Sequence, residues 1–200
     1  MEQSTRNPLY PIFLKLHELK LLIVGAGEVG YEKLSFILKS SPRANITIVT
    51  TSVNPAIKEL LRSGNFDVTI INKPFHPTDI KDHDLVIAAT NFQDLNAVVR
   101  TAAKAKGKLV NVADTPDLCD FYLGSIVTRG PLKVAISTNG QSPTFAKRFR
   151  QVLEEILPEE VEDLIQNLKL YRDQLSGDFE EKVKALNEAT ESLIQQGKHT

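Results

Sequence analysis

Apolar residues alternate along this chain between two textures. Short runs such as Lys20-Leu21-Leu22-Ile23-Val24, Asn45-Ile46-Thr47-Ile48-Val49 and Asp84-Leu85-Val86-Ile87-Ala88-Ala89 carry no charge in their interiors, as strands buried on both faces require. Between the first two, Leu34, Ile37 and Leu38 fall at helical spacing within Tyr31 to Lys39. Residues 20 to 50 therefore predict one β-α-β unit with a right-handed crossover. The pattern continues: Asn54-Pro55 opens a helix that Gly64 can close, and Phe66 to Ile71 predicts a strand. The charge-free run ending at Ala89 predicts a central strand. Asn96 to Lys106 then predicts a helix stopped by Gly107, and Lys108 to Ala113 a further strand. The expectation is a doubly wound α/β domain over residues 1–113.

After Pro116 the texture changes. Gly124 to Thr128 and Leu132 to Ser137 flank Arg129-Gly130-Pro131 with no helical stretch between them, which predicts a hairpin and a small β region over residues 114–142. Ser142-Pro143 reads as an N-cap followed by the first helical residue, and breaks at Leu157-Pro158 and Ser176-Gly177 divide residues 143–200 into three helices. The sequence holds no internal repeat or low-complexity tract.

Charge narrows the partners. The 24 Lys+Arg against 25 Asp+Glu leave a net charge of −1. The final 58 residues, with 8 basic and 12 acidic side chains, carry −4. An acidic helical tail argues against a phosphate-reading surface, so no nucleic-acid partner is expected. No stretch approaches the ~20 apolar residues of a membrane span, and Met1 to Thr5 lead into no signal-like apolar core, so a cytoplasmic protein without membrane attachment is expected. Cys119 is the single cysteine, and His17, His76, His83 and His199 have no mutual metal-ligand spacing, so neither a disulfide nor a metal site is expected.

The strongest chemical signal is Gly25-Ala26-Gly27-Glu28-Val29-Gly30, placed between a predicted strand and a predicted helix. In that context Gly25 allows a tight turn, Gly27 lets a pyrophosphate approach the backbone, and Gly30 lets the helix pack closely. The expected cofactor is a nicotinamide dinucleotide. The carboxylate that usually clamps the adenine ribose at the end of the second strand is missing, since the chain reads Val49-Thr50-Thr51-Ser52. Thr51 and Ser52 can hydrogen-bond a ribose, and Arg43 could meet a 2′-phosphate if it folded back, so NAD and NADP both stay open on these residues. Thr90 and Asn91, after the fourth predicted strand, stand where a parallel sheet presents its loops to a ligand.

No Tyr is followed four residues later by Lys, which excludes the short-chain dehydrogenase arrangement, and zinc-dependent alcohol oxidation lacks its ligands. Asp114 ends the fifth predicted strand on the sheet edge of the glycine turn. There it can act as a base toward a proton released with hydride, or simply open the turn Asp114-Thr115-Pro116-Asp117.

The glycine turn, Ile87-Ala88-Ala89-Thr90-Asn91, Asn111-Val112-Ala113-Asp114 and Val134-Ala135-Ile136-Ser137-Thr138-Asn139-Gly140-Gln141-Ser142-Pro143 follow one another after an opening Tyr10-Pro11-Ile12-Phe13-Leu14. In that order they resemble the precorrin-2 dehydrogenase, or siroheme synthase N-terminal (dehydrogenase-ferrochelatase), family. The resemblance runs from about residue 10 to about residue 160. It implies a Rossmann-like domain, a central β dimerisation region and a C-terminal helical domain in a homodimer. It implies oxidation of precorrin-2 to sirohydrochlorin with NAD, in siroheme or cobalamin synthesis, with ferrous iron as a further substrate in some members. Asp114 matches the family's essential aspartate, and Glu28, Val29, Thr51 and Ser52 match its cofactor contacts. The polycarboxylate substrate calls for cations, for which Lys147 and Arg148 on the helix after Pro143 are the candidates, with Arg150, Arg129 and Lys133 behind them. Thr138 stands where some relatives carry a modified serine. The methyltransferase module of some siroheme synthases is not expected in the roughly 40 residues that follow the resemblance. The alternative is a non-catalytic NAD-binding redox sensor, which would have no use for a base at Asp114.

Overall fold

The computed structural model describes residues 7–195. They form two compact units: the chain up to Gly124 together with Ser137–Ser142, and Ser125–Ile136 together with the chain from Pro143 onward.

The first unit is built on β1 (Lys20–Ala26), α1 (Glu28–Ser40), β2 (Asn45–Val53), α2 (Pro55–Arg62), β3 (Val68–Asn72), β4 (Leu85–Ala88), α3 (Gln93–Ala105) and β5 (Leu109–Val112). Its five strands pair in parallel in the order β3-β2-β1-β4-β5. Alternation along β1 explains the two helical layers. Leu21 and Ile23 point into a core with Leu34, Ile37 and Leu38 of α1 and Ile57 of α2, while Leu22 and Val24 point into one with Val99 and Ala103 of α3 and with Ile80. Each fully buried Leu or Ile contributes about 1.5–3 kcal/mol relative to exposure. The chain reverses its direction of winding between β1 and β4, and there the carboxyl ends of the strands open a crevice.

Tertiary contacts move three boundaries. β2 runs on to Val53, because the register between β1 and β2 shifts after Val24 so that Ala26 pairs with Val53. Thr51 and Ser52 are thus strand residues. α3 begins at Gln93, three residues before the expected start, so Asn96 lies inside its first turn. Phe66 lies outside β3 and packs on the core from the preceding loop.

The second unit contains β6 (Ser125–Arg129) and β7 (Leu132–Ile136), paired antiparallel through the two-residue loop Gly130-Pro131. Gly130 takes φ +50°, the hand that tight hairpins favour. Three helices follow, α4 (Pro143–Ile156), α5 (Val161–Gln174) and α6 (Phe179–Gln195). Arg129 joins hairpin to helix by donating from Nη2 to the Glu154 carbonyl at 2.6 Å. Phe145, Phe149, Val152 and Ile156 leave an exposed apolar stripe along α4, with the two Phe rings stacked at 5.8 Å. Among the described residues no helix is long and apolar enough to cross a membrane.

Candidate functional site

The three glycines divide their work. Gly25 sits at φ +102°, and a Cβ there would lie 2.5 Å from the Ala89 carbonyl oxygen. A Cβ on Gly30 would collide with the Gly25 carbonyl, so its absence lets α1 start tight against β1. At Gly27 a Cβ would meet only Asn91 Nδ2, at 3.9 Å, so packing within the chain does not require glycine here. Gly27 is also the N-cap of α1 and supplies no side-chain cap, which leaves first-turn N–H groups available to an anion.

This turn forms one wall of a cleft of about 580 Å³ at the carboxyl ends of β1 to β4. Of the residues expected at a cofactor, Gly25, Gly27, Glu28, Thr51, Ser52, Thr90 and Asn91 line it. Gly30 is buried behind the turn, and Val29, half-buried against the core, does not line the cleft. Arg43 is corrected by the fold. It precedes β2, whereas the cleft lies beyond the other end of that nine-residue strand, roughly 25 Å away at ~3.3 Å per residue.

Thr90 owes its position to Asn96. Asn96 is buried, accepts from the Thr90 N–H at 3.1 Å and hydroxyl at 2.7 Å, and donates to the Thr90 carbonyl at 3.0 Å. Thr90 therefore shapes the loop after β4, and Asn91 is left to face the cleft. Sequence reasoning took Asn96 for a helix start. The signal that it was more is its spacing to Val99 and Ala103, which put an amide on the buried face of α3.

At the end of β2 the Thr50 hydroxyl donates to the Ser52 carbonyl at 2.7 Å, so this hydroxyl is engaged within the strand. Glu28 is the one carboxylate among the described residues lining the cleft, and it accepts from Asn54 Nδ2 at 2.8 Å. Asn54 also caps α2 by accepting from the Ala56 N–H at 2.9 Å. Lys73, after β3, pairs with Asp79 at 2.5 Å. Burial alone would push the Asp79 carboxyl up, but the Lys73 ammonium and the His76 amide hold it below the usual carboxylate range. Sequence reasoning missed Asn54, Lys73 and Phe75 as cleft residues, because nothing local distinguishes them from a cap and a loop.

Asp114 follows β5, the strand beside β4, on the same sheet edge as Thr90. It sits at φ +57° in a turn closed by the Thr115 N–H donating to the Val112 carbonyl at 3.3 Å. Its carboxylate is exposed and makes no hydrogen bond or ion pair among the described residues. The turn beneath it is fastened. The Cys119 thiol accepts from the Val112 N–H at 3.2 Å and donates to the Val112 carbonyl at 3.2 Å. Asp120 accepts from the Val110 N–H at 3.0 Å, and buried Asn111 donates to the Phe121 carbonyl at 2.8 Å. Burial pushes the Cys119 thiol up, so it serves as a neutral hydrogen-bonding group. Asp is among the few side chains that tolerate this backbone region, and the turn presents its carboxylate to solvent on the sheet edge.

In the second unit Lys147 and Arg148 are exposed on α4 without ion pairs among the described residues. Arg150 is engaged by Glu154 at 2.5 Å, and Arg129 by the Glu154 carbonyl. Among the described residues no group of three His, Cys, Asp or Glu side chains gathers as metal ligands.

A parallel sheet with a glycine turn at its topological switch point, opening on a cleft with an uncapped helix, defines a Rossmann-like dinucleotide-binding protein. A family model described as NAD(P)-binding matches residues 12–125, and one for the sirohaem biosynthesis protein central region matches residues 129–156. The chain is 43% identical over 148 residues to a siroheme synthase of Methylococcus capsulatus, covering 74% of this chain and 30% of the relative. It is 35% identical over 172 residues to one of Nitrosomonas europaea, covering 84% and 35%. The solved structure of SirC, precorrin-2 dehydrogenase, superposes with a TM-score of 0.73 at 26% identity, covering 90% of this chain and 88% of that one. The chain belongs to the precorrin-2 dehydrogenase and siroheme synthase N-terminal family, and it spans about a third of the length of the curated relatives it matches.

Proposed function

We propose that this chain oxidises precorrin-2 to sirohydrochlorin with NAD, and that Asp114 is the base. The observation that carries the reading is the exposed, partnerless Asp114 carboxylate, held at positive φ on the sheet edge where the glycine turn opens. The likeness to SirC, a precorrin-2 dehydrogenase, and to the siroheme synthases supports the substrate class. The residues fit a dinucleotide: the space in front of Gly27 and the uncapped N-terminus of α1 suit a pyrophosphate, and hydroxyls and amides line the rest of the cleft. When bound, the dinucleotide supplies a hydride acceptor.

The oxidation removes two hydrogens from the tetrapyrrole, one as hydride and one as a proton. Asp114 takes the proton and, being exposed, releases it to solvent. Asn96 fixes the loop after β4 so that the cleft keeps its shape while ligands exchange. Lys147 and Arg148 offer cations to the substrate carboxylates. The apolar stripe on α4 supports a homodimer, which a light-scattering mass would test.

The test is an anaerobic spectrum of the purified chain with enzymatically generated precorrin-2 and NAD. NADH formation together with the sirohydrochlorin spectrum is expected. Cofactor binding without NADH formation from either NAD or NADP would overturn the reading in favour of a redox sensor. Ferrous iron, added afterwards against an iron-only control, tests iron insertion, for which the same aspartate would accept the pyrrole protons.

A further inference from the structure

We propose that Asn54 is a positioning residue that makes the cleft select NAD over NADP, by holding the Glu28 carboxylate where the adenine ribose is read. The inference rests on the reading that the cleft binds a nicotinamide dinucleotide. Dinucleotide sites of this architecture usually take the ribose-reading carboxylate from the end of the second strand, and here that strand ends Thr51-Ser52-Val53 with none. The acidic group reaches that place from another element. Glu28 is the first residue of α1, and its Oε1 accepts from Nδ2 of Asn54, the residue immediately after β2, at 2.8 Å.

Asn54 can hold this direction because its other amide atom is already fixed. Oδ1 accepts from the Ala56 N–H at 2.9 Å as the cap of α2, which sets the amide plane and aims Nδ2 at Glu28. A carboxylate held there accepts from ribose hydroxyls and repels a 2′-phosphate. No cation among the described lining residues offsets it. Lys73 is the only one, and its charge is taken by Asp79 at 2.5 Å. Arg43 lies beyond the opposite end of β2.

The test titrates NADH and NADPH by nicotinamide fluorescence into the whole chain and its Asn54→Ser, Glu28→Gln and double variants. Ser caps α2 as well as Asn does but is too short to reach Glu28, so the melting temperature should hold. Asn54→Thr serves as a second capping variant should the first fail to fold. The wild type should prefer NADH. Asn54→Ser should narrow that preference about five- to tenfold, the worth of one ordinary, solvent-exposed hydrogen bond. Glu28→Gln should narrow it further, and the double variant should match Glu28→Gln alone, because Asn54 acts only through Glu28. An unchanged ratio in Asn54→Ser, additive effects in the double variant, or a wild type that prefers NADPH would overturn the proposal. Failure of the wild type to bind either dinucleotide would instead overturn the reading of the cleft, and this proposal with it.

Discussion

Asp114→Gly separates the cost of holding the carboxylate from its use. At φ +57° a residue with a Cβ sacrifices about 1–2 kcal/mol that glycine does not, while glycine makes the unfolded chain freer by about 0.5–1 kcal/mol. The side chain is exposed and has no hydrogen bond among the described residues, so its removal breaks no contact there. The Thr115 to Val112 turn bond and the Cys119 contacts are made by other atoms. The balance is a gain of about 0.5–1 kcal/mol, which for a chain of this size raises the melting temperature by roughly 1–4 °C. Removing a general base should lower turnover by about 10²–10⁴ while leaving NADH affinity unchanged. Thermal melting, fluorescence titration and NADH production on one preparation measure all three. A variant that is less stable would refute the strain argument. One that keeps more than about a tenth of its activity would refute the assignment of the base.

Gly27→Asp should melt within about 1 °C of the wild type, since a side chain has room there, yet bind NADH at least about tenfold more weakly because a carboxylate would occupy the anion path. Normal affinity would place the pyrophosphate elsewhere. Gly25→Ala should do the opposite of a silent change. With φ +102° and a Cβ 2.5 Å from the Ala89 oxygen, it should cost about 2 kcal/mol or more in urea unfolding, and a neutral result would contradict the packing of β1 on the loop after β4. Burial pushes Asp120 up, but the Lys104 ammonium and the Val110 amide outweigh it and hold the carboxyl below its ordinary value. A lowered folded value means stability that is complete above the ordinary value and lost as pH falls through the folded one. Asp120→Asn should therefore be less stable than wild type at about pH 7 and lose less between about pH 4 and pH 2. Parallel curves would show that Asp120 contributes nothing to acid sensitivity.

The strand and helix runs could be read from the chain because each is a local requirement. Leu21 to Val24 must be apolar throughout to lie between two helical layers, and Gly25 must be glycine to turn at φ +102° against Ala89. Where the reading of the chain stopped short, a distant partner made the difference. Asn96, expected only to start a helix, folds its amide back on Thr90, and β2 runs on to Val53 because Ala26 pairs with it.

By itself, then, the sequence determined the parallel α/β unit, the Gly130-Pro131 hairpin, the closing helices and the glycine turn, because periodicity and φ restriction act within a few residues. Only the tertiary structure decided which side chains share the cleft. The winding order put Arg43 at the wrong end of β2, brought Glu28 to Asn54 across 26 positions of chain, and left Asp114 at positive φ with its carboxylate exposed after β5. Those relations depend on strand order and crossover geometry, which a one-dimensional pattern of apolar and polar residues does not encode.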